Sequence, residues 1–438
     1  MTIEKIPLPS KLIDDSLKET GFSSDNLAIR EVNRLVNILE DKTGINFIRM
    51  EFGIPNIPPP DFVKDVEQEA MNQGVHGAYP PFDGIPELKQ AGSRFFEAFF
   101  NVKVPTSSII PTCGSMQGGF ISQQLAGNLF PNRKKILFLD PTFPVSKLQA
   151  RFLGLKTEGI DIYDCRGDSL LSAIREKFEE DNIGGLLWSS PNNPSWVCLR
   201  PSELQGIAEL CDEYEVLAIE DQAYIGMDFR QDYSTPFTEP FIPSVAQYGD
   251  YWVTLISSSK AFSYPGPRCA ISVISPALVD KKFTNLKDKC GSETFGHSFS
   301  HGGLYVTTSG VSHASQYGLS SLLNAACDGS FNFVEHTREY SSRSEKICKI
   351  FTNHGFNQVY KTDIDVPVGN GFFLTMSYPK FTGNDLLKEL LRYGISTTTL
   401  SSSGSSRDEG LRICVSFVKP TEISLLEQRL KHFEEGHT

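Results

Sequence analysis

The chain has 438 residues, 39% hydrophobic and 21% charged, a length beyond one ordinary hydrophobic core, so two domains are expected. Its 41 basic against 53 acidic residues give a net charge of −12, which leaves no cationic excess for phosphates and argues against nucleic acid as the main partner. No window approaches the ~18 apolar residues of a membrane span, the first fifteen residues lack a signal-like apolar stretch, and nine scattered cysteines without a C-x-x-C pair read as reduced thiols, so a cytoplasmic protein with no membrane partner and no bound metal is expected.

Residues 1–52 read as polar and mostly helical, ending in a short strand that stops at Gly53. The proline cluster of "GIPNIPPP" then forbids regular structure until about Asp61. Next come apolar β-rich runs alternating with helical segments, the pattern of a parallel sheet with crossover helices. The runs are "KKILFLD" (134–140), "IGGLLWSS" (183–190), "EVLAIED" (215–221) and "YWVTLISSS" (251–259). A fifth, "RCAISVIS" (268–275), follows a Pro-Gly-Pro bend and is expected to pair antiparallel with the fourth. The helical segments are "SKLQARFLG", "DSLLSAIREKFEED" and "RPSELQGIAELCDEY", the last with Pro201 at a first helical position. From about residue 331 a long helix to 354, strands in "GFFLTMSYP" and "LRICVSF", and a final amphipathic helix imply an α+β unit. "SSSGSSRDEG" (401–410) reads as a mobile surface loop between two of its strands. The expected fold is α/β: a three-layer α/β/α large domain over 53–329 with a mostly parallel sheet, plus a smaller α+β domain over 330–438, which 1–52 joins in part as an N-terminal arm.

Ligands of open α/β sheets bind outside the carboxyl ends of the strands. The four parallel runs lead there into "DPTF" with Phe143, "PNNPS" with Asn192 and Asn193, "EDQAY" with Asp221 and Tyr224, and "SSSK" with Lys260. Singly each is an ordinary turn, cap or packed ring; together on one edge they mark a site. An aromatic face to stack on, a carboxylate for a ring nitrogen, amide and phenol donors for a ring oxygen and a lysine for an aldehyde match pyridoxal 5′-phosphate feature by feature. "PTCGSMQGGF" supplies a phosphate cup, because Gly114 allows a tight turn and the amides of Ser115 and Met116 open a helix. Ser257 and Arg268 flank Lys260 and reach toward the same phosphate.

"SSSK" (257–260) also fits the S-x-x-K of serine acyl-enzymes, and "SDN" (24–26) and "KTG" (42–44) match its partner motifs. Both partners precede S-x-x-K here, whereas in those enzymes they follow it. S-x-x-K must also open a helix, and Pro265-Gly266-Pro267 forbids one. Lys260 is therefore the reactive group.

Taken together, "EFGIPNIPPP", "YPPFDGIPELKQA", "GSMQGG", "DPTF", "PNNPS", "EDQAY", "SSSKAFSYPGPR" and "LRICVSF" resemble, in order, the class I/II aminotransferases of fold type I. The resemblance covers about Gly53 to Arg412. It implies that Lys260 holds pyridoxal 5′-phosphate as a Schiff base and later moves the substrate proton. It implies that Asp221 pairs with the ring nitrogen, Tyr224 and Asn193 with the ring oxygen, and Phe143 with the ring face. Ser115, Met116, Ser257 and Arg268 would bind phosphate, and Tyr79 would reach the phosphate of a neighbouring subunit in a homodimer with shared sites. Arg412, with Asn193 and the Gly53 backbone, would grip the substrate α-carboxylate. The implied reaction moves an α-amino group between an amino acid and a 2-oxo acid. A pyridoxal-phosphate C–S β-lyase and a non-catalytic pyridoxal-phosphate-binding protein are the alternatives.

The family's N-P-T-G stands here as Asn193-Pro194-Ser195-Trp196, which puts a bulky Trp196 near the entrance, and its P-G-x-R-x-G ends in Cys269-Ala270. Arg412 in an apolar strand needs a partner, and a substrate carboxylate suits it better than Glu409 or Asp408. His297 and His301 have a metal-like i, i+4 spacing, but the surrounding glycines favour a loop near the pocket. "GNGFF" (369–373) is too short for a dinucleotide fingerprint.

Overall fold

The computed structural model describes residues 6–22 and 26–437, so Ser24 and Asp25 of the "SDN" tripeptide lie outside the described residues. Two helices come first, α1 (Ser10–Thr20) and α2 (Ile29–Thr43), each ended by a glycine in the left-handed conformation, then β1 (Ile48–Arg49). Helix α3 (Asp61–Asn72) starts where the proline cluster ends, and α4 (Pro86–Phe100) begins with a proline at its first turn. The large sheet then assembles from β2 (Ile109–Thr112), β3 (Lys135–Asp140), β4 (Lys156–Asp161), β5 (Ile183–Ser189), β6 (Leu217–Gln222), β7 (Trp252–Ser257) and β8 (Ala270–Ile274). Its spatial order is β2-β8-β7-β6-β5-β3-β4. Strands β3 to β7 pair in parallel, and β8 alone runs antiparallel, to β7 and to β2. Strand β5 is buried along its whole length, as a strand covered on both faces must be. The connecting helices include α5 (Gly114–Ala126), α6 (Pro144–Phe152), α7 (Asp168–Glu179) and α8 (Pro201–Tyr214), with Pro201 at the first position of α8.

The remaining strands are short: β9 (Asn357–Gln358), β10 (Thr362–Asp363), β11 (Val366–Pro367), β12 (Phe373–Ser377), β13 (Ile395–Ser396), β14 (Thr398–Thr399) and β15 (Leu411–Cys414). They form an antiparallel sheet β14-β15-β12-β9, a β10–β11 hairpin and a parallel pair β1–β13. One apolar cluster fills the large sheet and its helices; a second packs Leu35, Val36 and Met50 with Leu374, Leu390, Ile413 and Phe433. The alternation of β15 divides its labour. Leu411 and Ile413 enter the second cluster, while Arg412 and Cys414 face the other way.

Three local expectations are corrected. The segment 401–410 is a docked turn: the Thr142 amide donates to the Ser403 carbonyl (2.8 Å), and the Ser406 amide and hydroxyl donate to Asp161 at the end of β4 (2.7 and 2.8 Å). The helix at 331–354 is two, Phe333–Thr337 and Glu339–Asn353, broken at Arg338. His297 and His301 lie on consecutive helical turns, their rings stacked 5.1 Å apart, with His301 against Tyr305 and Phe82. Among the described residues no cluster of three or more ligating side chains could hold a metal, and no helix is long and apolar enough to cross a membrane.

Candidate active site

The carboxyl edge of the large sheet gathers the side chains singled out above. Strand β6 carries Asp221 next to its last residue and leads to Tyr224, β5 leads to Asn193, β3 to Phe143 at the start of α6, and β7 ends in Ser257 and leads to Lys260. Because β2 runs with the parallel strands and β8 against them, Gly114 at the end of β2 and Arg268 just before β8 reach the same edge.

No helix forms after β7. The chain bends, held by the Ser258 hydroxyl, which donates to the carbonyls of Tyr264 (3.1 Å) and Cys269 (2.5 Å), and by the Ser263 amide on the Lys260 carbonyl (3.1 Å). That turn leaves the Lys260 amine on the Gly53 carbonyl, 5.7 Å from the centre of the Phe372 ring. Burial lowers its pKa to about 8 from 10.5; Arg412 and Arg268 push the same way, opposed by Cys414 and Asp221. This amine is neutral enough near physiological pH to attack an aldehyde.

Asp221 responds in the opposite sense. Burial raises its pKa to about 7, against the Ala223 amide and the charge on Lys260. Its Oδ1 is buried and has no hydrogen-bond partner among the described residues. A buried carboxylate oxygen left without a donor costs about 1–3 kcal/mol, and a protonated ring nitrogen would supply both the missing donor and a charge. Tyr224 is buried, which pushes its phenol above the ordinary range, and its ring touches Trp196, Phe372 and Phe373.

The anion cup is built at the start of α5. Gly114 sits at φ = 70°, and a Cβ there would lie 2.4 Å from the Arg268 guanidinium. Only glycine therefore lets the guanidinium lie across this helix N-terminus. Arg268 donates to Ser259 Oγ (3.3 Å) and the Pro265 carbonyl (2.9 Å), and among the described residues it has no carboxylate in ion-pair range. Ser257 is buried beside it, Ser115 is half-buried and Met116 is exposed. Farther along α5, a Cβ on Gly118 would come within 2.5 Å of Ser272 Oγ, so the helix can press on the sheet only there.

Arg412 is buried in β15 between Thr398 and Thr375. Its Nη1 donates to the Glu51 carbonyl (2.8 Å), its Nε to Asn193 Oδ1 (3.2 Å), and its Cζ lies 4.4 Å over the Phe373 ring. Glu409 pairs instead with Arg407 (2.7 Å). Burial lowers the Arg412 pKa and outweighs the opposing pull of Cys414, Tyr224 and Glu51, and among the described residues no carboxylate lies in ion-pair range of it. A Cβ on Gly53 would meet Arg412 Nη2 at 3.1 Å, which keeps that side of the guanidinium narrow.

A buried arginine from the small sheet, without an ion-pair partner among the described residues, and a lowered-pKa lysine and an orphaned carboxylate oxygen from the large sheet form a set that the fold itself does not satisfy. The profile described as "Aminotransferase class I and II" matches residues 45–430. The chain belongs to the class I and II aminotransferases. Similar curated aminotransferases include the aspartate aminotransferase of Pyrococcus horikoshii, 24% identical over 59% of this chain and 62% of the relative. Another is the glutamate-pyruvate aminotransferase AlaC of Escherichia coli, 26% identical over 54% and 56% respectively. The matched stretch thus spans about three fifths of these relatives' length. Aspartate aminotransferase from Thermus thermophilus with maleate superposes with a TM-score of 0.74 at 20% identity, over 93% of this chain and 96% of that one. Alanine aminotransferase from Pyrococcus furiosus does so at 0.74 and 19%, over 95% and 99%. The aminotransferase fold therefore extends over nearly the whole chain.

One residue departs from expectation. Trp196 is 1% exposed and wedged inside, not at an entrance, because its indole fills the space above Gly371. Tyr79 is 89% exposed. Three further side chains at the site escaped the sequence reading: Phe372, Phe373 and Cys414. Cys414 stands two residues from Arg412, and strand alternation alone places it on the same face.

Proposed function

We propose that the chain is a pyridoxal 5′-phosphate-dependent aminotransferase that moves an α-amino group between an amino acid and a 2-oxo acid. The observation that carries this reading is the pairing of Lys260, its amine pKa lowered to about 8, with the donorless buried Oδ1 of Asp221 on one sheet edge. The residues present fit the cofactor, whose phosphate would take the Gly114–Arg268 cradle. When bound, it supplies an aldehyde for the lysine and an electron-withdrawing ring that stabilises negative charge on the substrate Cα.

Lys260 would hold the cofactor through its amine, and the same amine, neutral at a pKa of about 8, would serve as the base for the substrate Cα proton. Asp221 keeps the ring nitrogen protonated. Asn193 gives its Oδ1 to Arg412, which leaves its Nδ2 to join the Tyr224 hydroxyl at the ring oxygen. Phe143 covers the ring face, and the Ser115 and Met116 amides, Ser257 and Arg268 hold the phosphate. Arg412, Asn193 and the Gly53 backbone orient the α-carboxylate. Tyr79, too exposed to serve its own site, serves a second copy, so the working unit is a homodimer with shared sites. Residues 53–329 act as the cofactor-binding unit and 330–438 with part of 1–52 as the smaller one, a division supported by the two apolar clusters.

The test mixes cofactor-loaded protein with each of the twenty amino acids and follows the absorbance of the lysine-bound cofactor. Bleaching by at least one donor, reversed by a 2-oxo acid, is expected. Lys260→Ala should lose about 10⁴-fold or more in turnover and resist borohydride trapping. Release of pyruvate and ammonia would replace this reading with a β-lyase; a stable band with no turnover on any donor would replace it with a non-catalytic binder.

A further inference from the structure

Trp196 occupies a backbone position that a bulky residue rarely takes. Its φ is 63°, in the left-handed region, where a large L side chain is strained. The tight turn around it over-determines the conformation. The Trp196 amide donates to the Asn192 carbonyl (2.9 Å), the Asn192 amide to the Val197 carbonyl (2.9 Å), and the Ser195 amide and hydroxyl to Asn192 Oδ1 (3.1 and 2.8 Å). The indole is fully enclosed, and its Nε1 has no partner among the described residues. A Cβ on Gly371 would lie 2.0 Å from the six-membered ring, so the indole rests directly on that glycine's backbone.

A strained backbone and an unsatisfied donor call for a compensating gain, and the ring's contacts identify it. Trp196 meets Tyr224 edge-on at 5.3 Å and Phe373 at 6.0 Å. Phe373 in turn carries the Arg412 guanidinium on its face at 4.4 Å. One ring thus braces the phenol at the end of β6 and the aromatic seat of the arginine on β15. We propose that Trp196 is a positioning residue that sets Tyr224 against the cofactor's ring oxygen and ties it to the Arg412 grip, with Gly371 as its required counterpart. This rests on the cofactor reading above. The charged and titratable groups facing Tyr224 are Arg412 and Cys414 from β15 and Asp221 from β6, and replacing Trp196 removes none of them.

A hydroxyl donating to the ring oxygen makes the neighbouring imine proton more acidic. Loosening Tyr224 therefore raises the pH midpoint of the absorbance change of the lysine-bound cofactor. In holoenzyme carrying Trp196→Gly, a residue that accepts φ = 63° without strain, the midpoint should rise by about one pH unit. Trp196→Phe should bring it most of the way back. Gly371→Ala should raise it too, but add nothing in the Trp196→Gly background, where the indole is gone. A midpoint unmoved in folded Trp196→Gly, or equal effects of Gly371→Ala in both backgrounds, overturns the proposal. If Trp196→Gly fails to fold, Gly371→Ala alone gives the readout: an unchanged midpoint in that folded variant overturns the proposal. A native chain that never develops the band overturns the cofactor reading as well, whereas a native band with unmoved variants overturns this inference alone.

Discussion

Two clusters of charged side chains, each assembled from residues far apart in sequence, differ in one respect. In the first, Arg166 bonds Glu203 (2.7 Å) and Asp363 (2.6 Å), and Arg230 bonds Asp363 (2.9 Å) and Asp228 (2.7 Å). Burial works against charge on Arg166, yet its acidic partners outweigh it and raise its pKa; Arg166 likewise outweighs burial at Glu203 and lowers it. Every charge there has an answer inside the chain. In the second, Lys260, Asp221 and Arg412 are as deeply placed, but burial dominates all three and shifts each toward neutrality. A closed network fastens the β10–β11 hairpin to the large sheet. An open set keeps its donors and acceptors for something from outside, and perturbation by burial without a partner is what separates site from scaffold.

The contrast can be broken first at the closed network. Asp363→Ala leaves Arg166 with Glu203 alone and the partly exposed Arg230 with Asp228 alone, and the loss should be about 1–3 kcal/mol, read as a lower denaturant midpoint, with cofactor binding by the folded fraction unchanged. In the open set the sign reverses. Asp221 titrates at about 7 in the folded chain and near ~3.9 unfolded. Between those values the folded state holds a proton that the unfolded state has released, so stability of the cofactor-free protein falls as pH rises across that window. Asp221→Asn should flatten this slope, leaving the share that Glu220 and Asp140, also raised to about 7 by burial, contribute, and gain about 1–2 kcal/mol at pH 8 while losing cofactor retention; denaturation of cofactor-free protein at pH 5 and pH 8 decides it. The smallest effect sharpens the Lys260 side. Covalent attachment of cofactor to the apoprotein should accelerate as pH rises, with a midpoint near 8 rather than 10.5, measurable by borohydride trapping between pH 6 and 9.

Much of the open set was legible because Asp221 and Lys260 follow apolar runs and Arg412 interrupts one, and apolar runs betray strands. The antiparallel place of β8 was readable too, since a Pro-Gly-Pro bend of that length leaves room only for a neighbouring strand. What escaped depends on contacts distant in sequence. Trp196 looked like an entrance residue because nothing local shows that Gly371, 175 positions on, leaves a hollow for its ring. Serine-rich 401–410 looked mobile, yet Asp161 and the carbonyl of Ser403 tie it to the ends of β4 and β3. Polarity predicted exposure there, and hydrogen bonding overruled it. The helical stacking of His297 and His301 was obscured by glycines, which the packing of Gly302 on Cys290 and Gly303 on Ile121 explains.

Arg412 projects from a strand that is paired on both sides, to Thr375 and to Thr398, and Lys260 from a bend laced by the Ser258 hydroxyl. Neither anchor rides on a free loop. Guanidinium and amine therefore act as two marks on a ruler whose spacing the backbone holds, one fixed by cross-strand pairing and the other by a laced turn.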